Sequence, residues 1–297
     1  MSKSPARRLV DLVWSAGLRP PATMQLSLHR PNNKPVELAG KRVLVTGASS
    51  GIGAAAVAKF VRHGATVVAV ARRAELLDAV VDKATRNNEA GGTAFAIAAD
   101  LSELDAVDAL VADVEQRLGG VDILVNNAGR SIVRPIAESL ERWHDLERTM
   151  AINYYAPLRL IRGFVPGMFE RGDGHLINVA TWGVMFEASA NFGAYNATKA
   201  ALASVSRVME TEWSGRGVHS TTLYFPLVTT PMMEPTGDFD GRPALTPDEA
   251  AGWMIVAARR RPVRIAPRTA LAVKALDTMN SRWSTEWAKS NTVRPGR

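Results

Sequence analysis

The stretch that most limits what this chain can fold into is Lys41-Arg-Val-Leu-Val-Thr-Gly-Ala-Ser-Ser-Gly-Ile-Gly53. Val43, Leu44 and Val45 form a short apolar run, which reads as a strand buried on both faces of a parallel sheet. Gly47, Gly51 and Gly53 interrupt it, and Ala54 to Val61 resumes at helical spacing. Strand, glycine turn, helix is the order a dinucleotide site needs. The glycines let the backbone turn sharply and approach a pyrophosphate. The unpaired N–H groups of the helix N-terminus then face its charge. An ordinary glycine-rich βα turn carries the same residues, so the motif gains its weight from the strand and helix around it.

That rhythm continues. Strands are predicted over 66–70, 93–98, 121–125, 175–179 and 220–224, with an edge strand over 262–266. Helices are predicted over 74–87, 104–118 and 194–213, and over 146–169 with a break near Pro166. Thr246 reads as a helix N-cap, with Pro247 at the first helical position and Asp248 and Glu249 in the first turn. Strands alternating with helices imply a parallel sheet covered on both faces, with ligands at the carboxyl ends of the strands. Residues 1–39 form a preface punctuated by Pro20, Pro21, Pro31 and Pro35, residues 40–268 the α/β domain, and residues 269–297 a helical tail. In that tail Trp283 and Trp287, at i and i+4, read as a packing stripe.

Of the 297 residues, 46% are hydrophobic and 22% charged, which are globular values. The chain has no cysteine, which excludes disulfides, thiolate metal sites and a cysteine nucleophile. Its five histidines form no ligand cluster, so no metal is expected. No run of about 18 apolar residues exists, so no transmembrane helix is expected. Lys3 to Leu18 has the outline of a signal peptide, but Asp11 interrupts its apolar part and no cleavage site follows. Leu9 to Leu18 reads instead as a short amphipathic helix that lies on a membrane, on a partner subunit or on its own domain.

The net charge is +7, with no basic run interleaved with aromatics in the manner of a nucleic-acid site. The densest basic stretch, Ala258 to Arg268, is open to three readings: a solvated face, a contact with anionic membrane, or a contact with a polyphosphate-bearing substrate.

Two further motifs carry chemistry. The second strand ends in Ala71-Arg72-Arg73, where a site for NAD usually has an acid. A basic residue there favours the 2′-phosphate of NADP; Arg72 is the candidate, with Arg73 or Ser49 helping. Two solvated arginines opening a helix is the alternative, but a helix N-terminus disfavours cations. Farther on, Tyr195-Asn-Ala-Thr-Lys199 places a phenol and an ammonium on one helix face. The cation is expected to lower the phenol pKa from about 10, making the tyrosine a usable proton donor and acceptor.

Taken together, Thr-Gly-x-x-x-Gly-x-Gly, Asp100, Asn126-Asn-Ala-Gly129 and Tyr-x-x-x-Lys occur in one order at familiar spacings. Over about residues 40–265 the chain resembles the short-chain dehydrogenase/reductase family. The resemblance implies a Rossmann-type doubly wound parallel sheet of about seven strands and bound NADP(H). It implies cofactor contacts from Gly47, Ser49, Ser50, Gly51, Ile52 and Gly53, from Asp100 and Leu101 beside the adenine, and from Asn126 near the adenosine ribose. Ala128 and Gly129 complete that wall. Asn153 matches the family's catalytic asparagine, Tyr195 its acid/base, and Lys199 the lysine that holds the nicotinamide ribose and tunes the tyrosine.

The chain departs from the pattern at two places. Where the family has a catalytic serine, this sequence reads Asn178-Val-Ala-Thr181; Thr181 aligns, with Ser189 a weaker stand-in. After the sixth strand the usual Pro-Gly is replaced by Pro226-Leu. Val228 is still expected to bond the carboxamide through its backbone, and Thr230 to touch the diphosphate.

Met232 to about Gly241 is the expected substrate lid, within residues 230–245. The segments Asn127 to Ile132, Leu227 to Met232 and Arg260 to Ala266 resemble the branch assigned as actinobacterial fatty acyl-CoA or long-chain carbonyl reductases. The expected function is reduction of a hydrophobic ketone, aldehyde or acyl-CoA in the cytoplasm, with peripheral membrane contact open and a homodimer or homotetramer the expected assembly. The competing reading is a dinucleotide-binding protein that has lost catalysis, motivated by Ala180-Thr181.

Overall fold

The computed structural model describes residues 15–21, 34–86, 88, 90–187, 189–233 and 242–290, apart from the side chains of Trp287 and Ser290. Leu9 to Trp14 and the greater part of the expected lid lie outside them, as does the Trp287 half of the tryptophan stripe; Trp283 is exposed.

Seven strands form one sheet in the order β3-β2-β1-β4-β5-β6-β7. They are β1 (Arg42–Thr46), β2 (Thr66–Ala71), β3 (Thr93–Ala98), β4 (Ile123–Asn126), β5 (Gly174–Thr181), β6 (Val218–Phe225) and β7 (Arg264–Ile265). Every neighbouring pair is parallel. The order reverses at β1, which pairs with β2 on one side and β4 on the other, and a crevice opens beyond the carboxyl ends at such a point.

Both faces of the sheet are covered, as the apolar runs require. Val43 and Val45 face one core layer with Phe60 of α1 (Gly51–Arg62) and Met254 of α8 (Pro247–Arg260). Leu44, between them, faces the opposite layer with Leu110 of α3 (Leu104–Leu118) and Phe164 of α6 (Ala156–Arg171). Each such fully buried side chain contributes about 1.5–3 kcal/mol relative to exposure. Between these, α2 (Ala74–Thr85) follows β2, and α4 (Ile136–Glu141) and α5 (Trp143–Met150) lead into α6. The long α7 (Gly193–Trp213) lies between β5 and β6, and α9 (Arg268–Met279) and α10 (Ser281–Ser290) close the chain. At the start of α8 the reciprocal capping box forms, Thr246 accepting from the Glu249 N–H and Glu249 from the Thr246 N–H.

Two sequence expectations are corrected. The helix expected to break near Pro166 runs through it to Arg171. Pro166 lies on the exposed face, so the Arg162 carbonyl that proline cannot serve meets water instead of a buried void. The irregularity falls earlier, where α5 passes into α6 through a π-helical turn at Ala151–Tyr155. The basic stretch 258–268 is also not a uniform solvated face. Arg261 is buried and donates to Asp173 at 2.6 Å, and Lys41 meets the same carboxylate at 2.8 Å. Asp173 directly precedes β5, so this cluster staples the amino ends of the strands, opposite the crevice.

Candidate active site

The glycine turn forms because only glycine fits it. Gly47 has φ +67°, and a Cβ there would lie 2.9 Å from the Ala128 Cα. A Cβ on Gly53 would lie 2.2 Å from the Gly47 carbonyl oxygen. No side chain caps the first turn of α1, at whose N-cap Ser50 sits with extended backbone. Its N–H groups therefore face the crevice with the positive end of the helix dipole. Thr230 lies against this turn, its Cγ2 3.1 Å from where a Gly51 Cβ would stand. The cradle thus suits a diphosphate placed between α1 and the β6 loop.

The turn is locked to its neighbour by two residues that the sequence reading passed over. Thr46 Oγ1 accepts from the Asn127 and Ala128 N–H groups, both at 2.9 Å. Asn127 Nδ2 donates back to the Thr46 carbonyl at 2.8 Å. A polar residue at each of two strand ends was the available signal, but their pairing spans about eighty positions.

At the end of β2, Arg72, Arg73 and Ser49 converge on one end of the crevice, and Arg73 Nη2 donates to Ser49 Oγ at 3.4 Å. Arg72 lies 3.7 Å from Asp100. Burial pushes the Asp100 carboxyl up, but hydrogen bonds from Ser102 and the charge of Arg72 hold it below its ordinary value. Ala99 and Leu101 line the crevice on either side of it. Asn126 does not. Its side chain turns into the sheet, where Nδ2 donates to Asn178 Oδ1 at 2.8 Å, while Asn127, Ala128 and Gly129 face the cavity. Strand alternation explains the reversal: neighbouring positions point to opposite faces. Asn126 therefore does not reach a ribose through its side chain. Asn178 goes on to Ser206 of α7 and Ser220 of β6, so this buried network sets the height of the helix that carries Tyr195.

Three chemically active side chains, Thr181, Tyr195 and Lys199, meet in the crevice, which encloses about 1280 Å³, and Asn153 lies buried directly behind them. Thr181 ends β5, and Tyr195 and Lys199 share one face of α7. Asn153, fully buried, is turned inward by the π-helical turn, a feature frequent at functional sites. Its Oδ1 accepts from the Arg130 N–H at 2.8 Å, and its Nδ2 donates to Thr198 Oγ1 at 2.9 Å. Lys199 Nζ donates to the Val179 carbonyl at 2.8 Å. A Cβ on Gly129 would stand 3.0 Å from Asn153 Oδ1 and 3.3 Å from Lys199 Nζ, so the backbone passes closely over both. Ser189, the weaker stand-in for Thr181, also lines the crevice.

The expected acidification of the phenol is not what this environment produces. Burial pushes Tyr195 up to about 12 and Lys199 down to about 8. Desolvation penalises the phenolate and the ammonium alike, and here it outweighs the benefit of placing one near the other.

Among the described residues, no group of three or more His, Asp or Glu gathers as a metal site, and no helix is long and apolar enough to cross a membrane. The family model for short chain dehydrogenases matches residues 41–240, from β1 to the loop after β6. The chain belongs to that family, and it is an oxidoreductase. A fatty acyl-CoA reductase from Mycobacterium tuberculosis is 65% identical over 95% of each chain. Among solved structures, a short-chain dehydrogenase from Streptomyces avermitilis aligns with TM-score 0.71 at 33% identity, covering 85% of this chain and 98% of that one. A metagenomic short-chain oxidoreductase in complex with NADP aligns with TM-score 0.64 at 32% identity, covering 75% and 92%.

Proposed function

We propose that this protein is an NADP(H)-dependent reductase of long-chain, hydrophobic carbonyl compounds, with Tyr195 as the proton donor. The observation that carries the reading is convergence. Thr181, Tyr195 and Lys199 come from two separate elements and meet in one crevice whose far end carries Arg72, Arg73 and Ser49, with Asn153 buried behind its wall and bonded to the Arg130 backbone. The glycine turn and the first turn of α1 would hold the diphosphate with Thr230. Arg72 and Arg73 would hold the 2′-phosphate, and Lys199 the nicotinamide ribose. Leu101 would flank the adenine, and the Val228 backbone would meet the carboxamide. A bound reduced nicotinamide supplies a hydride to the carbonyl carbon.

The protein's own residues do the rest. The Thr181 hydroxyl donates to the carbonyl oxygen and polarises it. The Tyr195 hydroxyl lies beside it and gives up its proton as the oxygen gains charge. A phenol held near 12 stays protonated at neutral pH, which suits a donor in the reductive direction. Asn153 and Lys199 fix a path by which the phenol is reprotonated. Trp182, Phe186, Phe192, Ile132 and Met232 line the substrate side and exclude water. The NADP complex of the metagenomic relative and the name of the mycobacterial relative support this choice of cofactor and substrate.

The test is NADPH oxidation with hexadecanal, a long-chain ketone and palmitoyl-CoA. Turnover of at least one is expected, and NADPH binding without turnover of any would point to lost catalysis. Thr181→Ala should lower kcat/KM about 10- to 100-fold, the worth of one hydrogen bond to developing charge. Ser189→Ala should change it less than about threefold, and the reverse order would transfer the serine role to Ser189.

A further inference from the structure

Among the described residues lining the crevice there are six cations and no carboxylate: Arg72, Arg73, Arg130, Arg134, Lys199 and Arg242. The proposed function uses three of them. Arg130 and Arg134 belong to the opposite, substrate end, on the loop that leaves β4 and runs beside the apolar wall. A neutral carbonyl with a hydrocarbon tail gives them nothing to do.

Their settings differ, and both favour an anion. Arg130 is exposed, and its guanidinium pairs with no carboxylate among the described residues. Its backbone is fixed at both ends of the peptide by Asn153, which accepts from the Arg130 N–H and donates to its carbonyl. Arg134 is held more firmly. Its guanidinium donates to the buried carboxylate of Asp145, and its N–H donates to the Asn191 carbonyl at 2.7 Å, across the mouth from the other wall.

Asp145 does not neutralise the site. Arg142 meets the same carboxylate at 3.1 Å, with His144 at 3.3 Å. Two guanidinium groups on one carboxylate leave an excess positive charge, and Arg134 keeps part of its surface open. A rigid, incompletely neutralised guanidinium is what bidentate recognition of phosphate uses.

We propose that Arg130 and Arg134 form an anion subsite at the substrate end, and that the substrate is an acyl thioester whose carrier bears phosphate groups. The acyl chain lies along Trp182, Phe186 and Phe192, and the phosphates of the carrier reach Arg130 and Arg134. One hydride from the reduced cofactor and the Tyr195 proton would convert the thioester to a hemithioacetal, whose C–S bond then breaks to give the aldehyde and the carrier's free thiol, the sulfur taking the hydroxyl proton. Asp145 is a positioning residue for Arg134. The proposal rests on the reductase reading and narrows it, from any hydrophobic carbonyl to a thioester on a charged carrier. The basic stretch 258–268 is not the source of this charge, because none of it lines the crevice.

The first measurement needs no turnover. Coenzyme A is titrated by calorimetry into the protein saturated with NADPH, which blocks the Arg72 end. Binding that weakens with salt is expected. Arg130→Gln and Arg134→Gln should each raise its Kd about tenfold or more, the effect of losing one charge-assisted contact. 3′-Dephospho-coenzyme A and the neutral N-acetylcysteamine thioester of palmitate separate the 3′-phosphate and the diphosphate as the source of binding. The second measurement is the ratio of kcat/KM for palmitoyl-CoA to that for hexadecanal, which should fall about tenfold in either variant. Arg134→Gln leaves Asp145 with one guanidinium fewer and is open to misfolding; Arg130, exposed, keeps the test decisive.

Coenzyme A that fails to bind the NADPH complex, or binds both variants as it binds the parent, overturns the subsite. Turnover of hexadecanal with an unchanged ratio in Arg130→Gln does so too, and leaves the reductase reading standing. Salt-sensitive binding of coenzyme A with no turnover of any carbonyl has the opposite meaning: the subsite holds and the reductase reading fails.

Discussion

The two ends of the crevice are built differently. The Arg72 end comes from one contiguous run, β1 to the start of α3, and its turn, helix and arginines follow one another in the chain. The catalytic and substrate end is assembled from the β4 loop, the π-helical turn, the tip of β5, α7 and the loop after β6. At the first end the groups themselves follow one another in sequence, with Asn127 and Thr230 bracing the turn from outside that run. At the second each is held by a group from another element: Asn153 by Arg130, Lys199 by the Val179 carbonyl, Arg134 by Asp145 and Asn191. Local rules therefore describe binding of the dinucleotide better than they describe the chemistry performed beside it.

The largest expected effect separates the two ends. Tyr195→Phe removes the proton donor and nothing at the Arg72 end, so kcat should fall about 10²- to 10⁴-fold. NADPH affinity, read by fluorescence, should stay within about threefold, because no charged contact to the cofactor is lost. A matching loss of NADPH binding would mean that the ends are not independent.

The next effect comes from burial. Lys199 titrates at about 8 in the folded protein, against 10.5 for the ordinary side chain. Between these values the unfolded chain binds more protons, so stability should rise with pH by up to about 3 kcal/mol. Tyr195 works in the opposite sense. Its folded value of about 12 exceeds the ordinary 10, so the unfolded chain loses that proton first and stability falls above pH 10. Denaturant melts should show a maximum near pH 10, and Lys199→Met should flatten the rising limb. A rising limb that survives in Lys199→Met would assign it to another group.

At the other end, Arg72→Ala should raise the Kd for NADPH about 10- to 100-fold while leaving NADH within about twofold, the signature of one lost charge-assisted contact to the 2′-phosphate. Equal losses for both cofactors would remove Arg72 from that role. The smallest effect is a control outside both ends: Thr246→Ala removes the α8 cap and should cost about 1 kcal/mol of stability. Its kinetic constants should match the parent.

The same contrast governs how much of the molecule was legible before folding. The strand over 93–98 and the helix over 104–118 stand where periodicity put them, and so does the Thr246 N-cap with Pro247 at the first helical position. Pro166 misled because whether an unbonded carbonyl is costly depends on which face meets water. Asn126 misled because alternation along β4 turns its side chain away from the cavity, onto the face where the register brings it opposite Asn178 of β5. The tuning of Tyr195 was read from one helical turn, where a cation helps, while the depth of burial that reverses its effect comes from the whole domain around it.

What the sequence determined by itself was the parallel sheet and the glycine cradle, because each follows from steric and hydrophobic rules acting over a few residues. What the tertiary structure decided was the π-helical turn that points Asn153 inward, the pKa directions of Tyr195 and Lys199, and the gathering of Arg130 and Arg134 opposite Arg72. Desolvation, strand register and charge clustering depend on which distant segments share a space, and that is settled only when the chain has closed on itself.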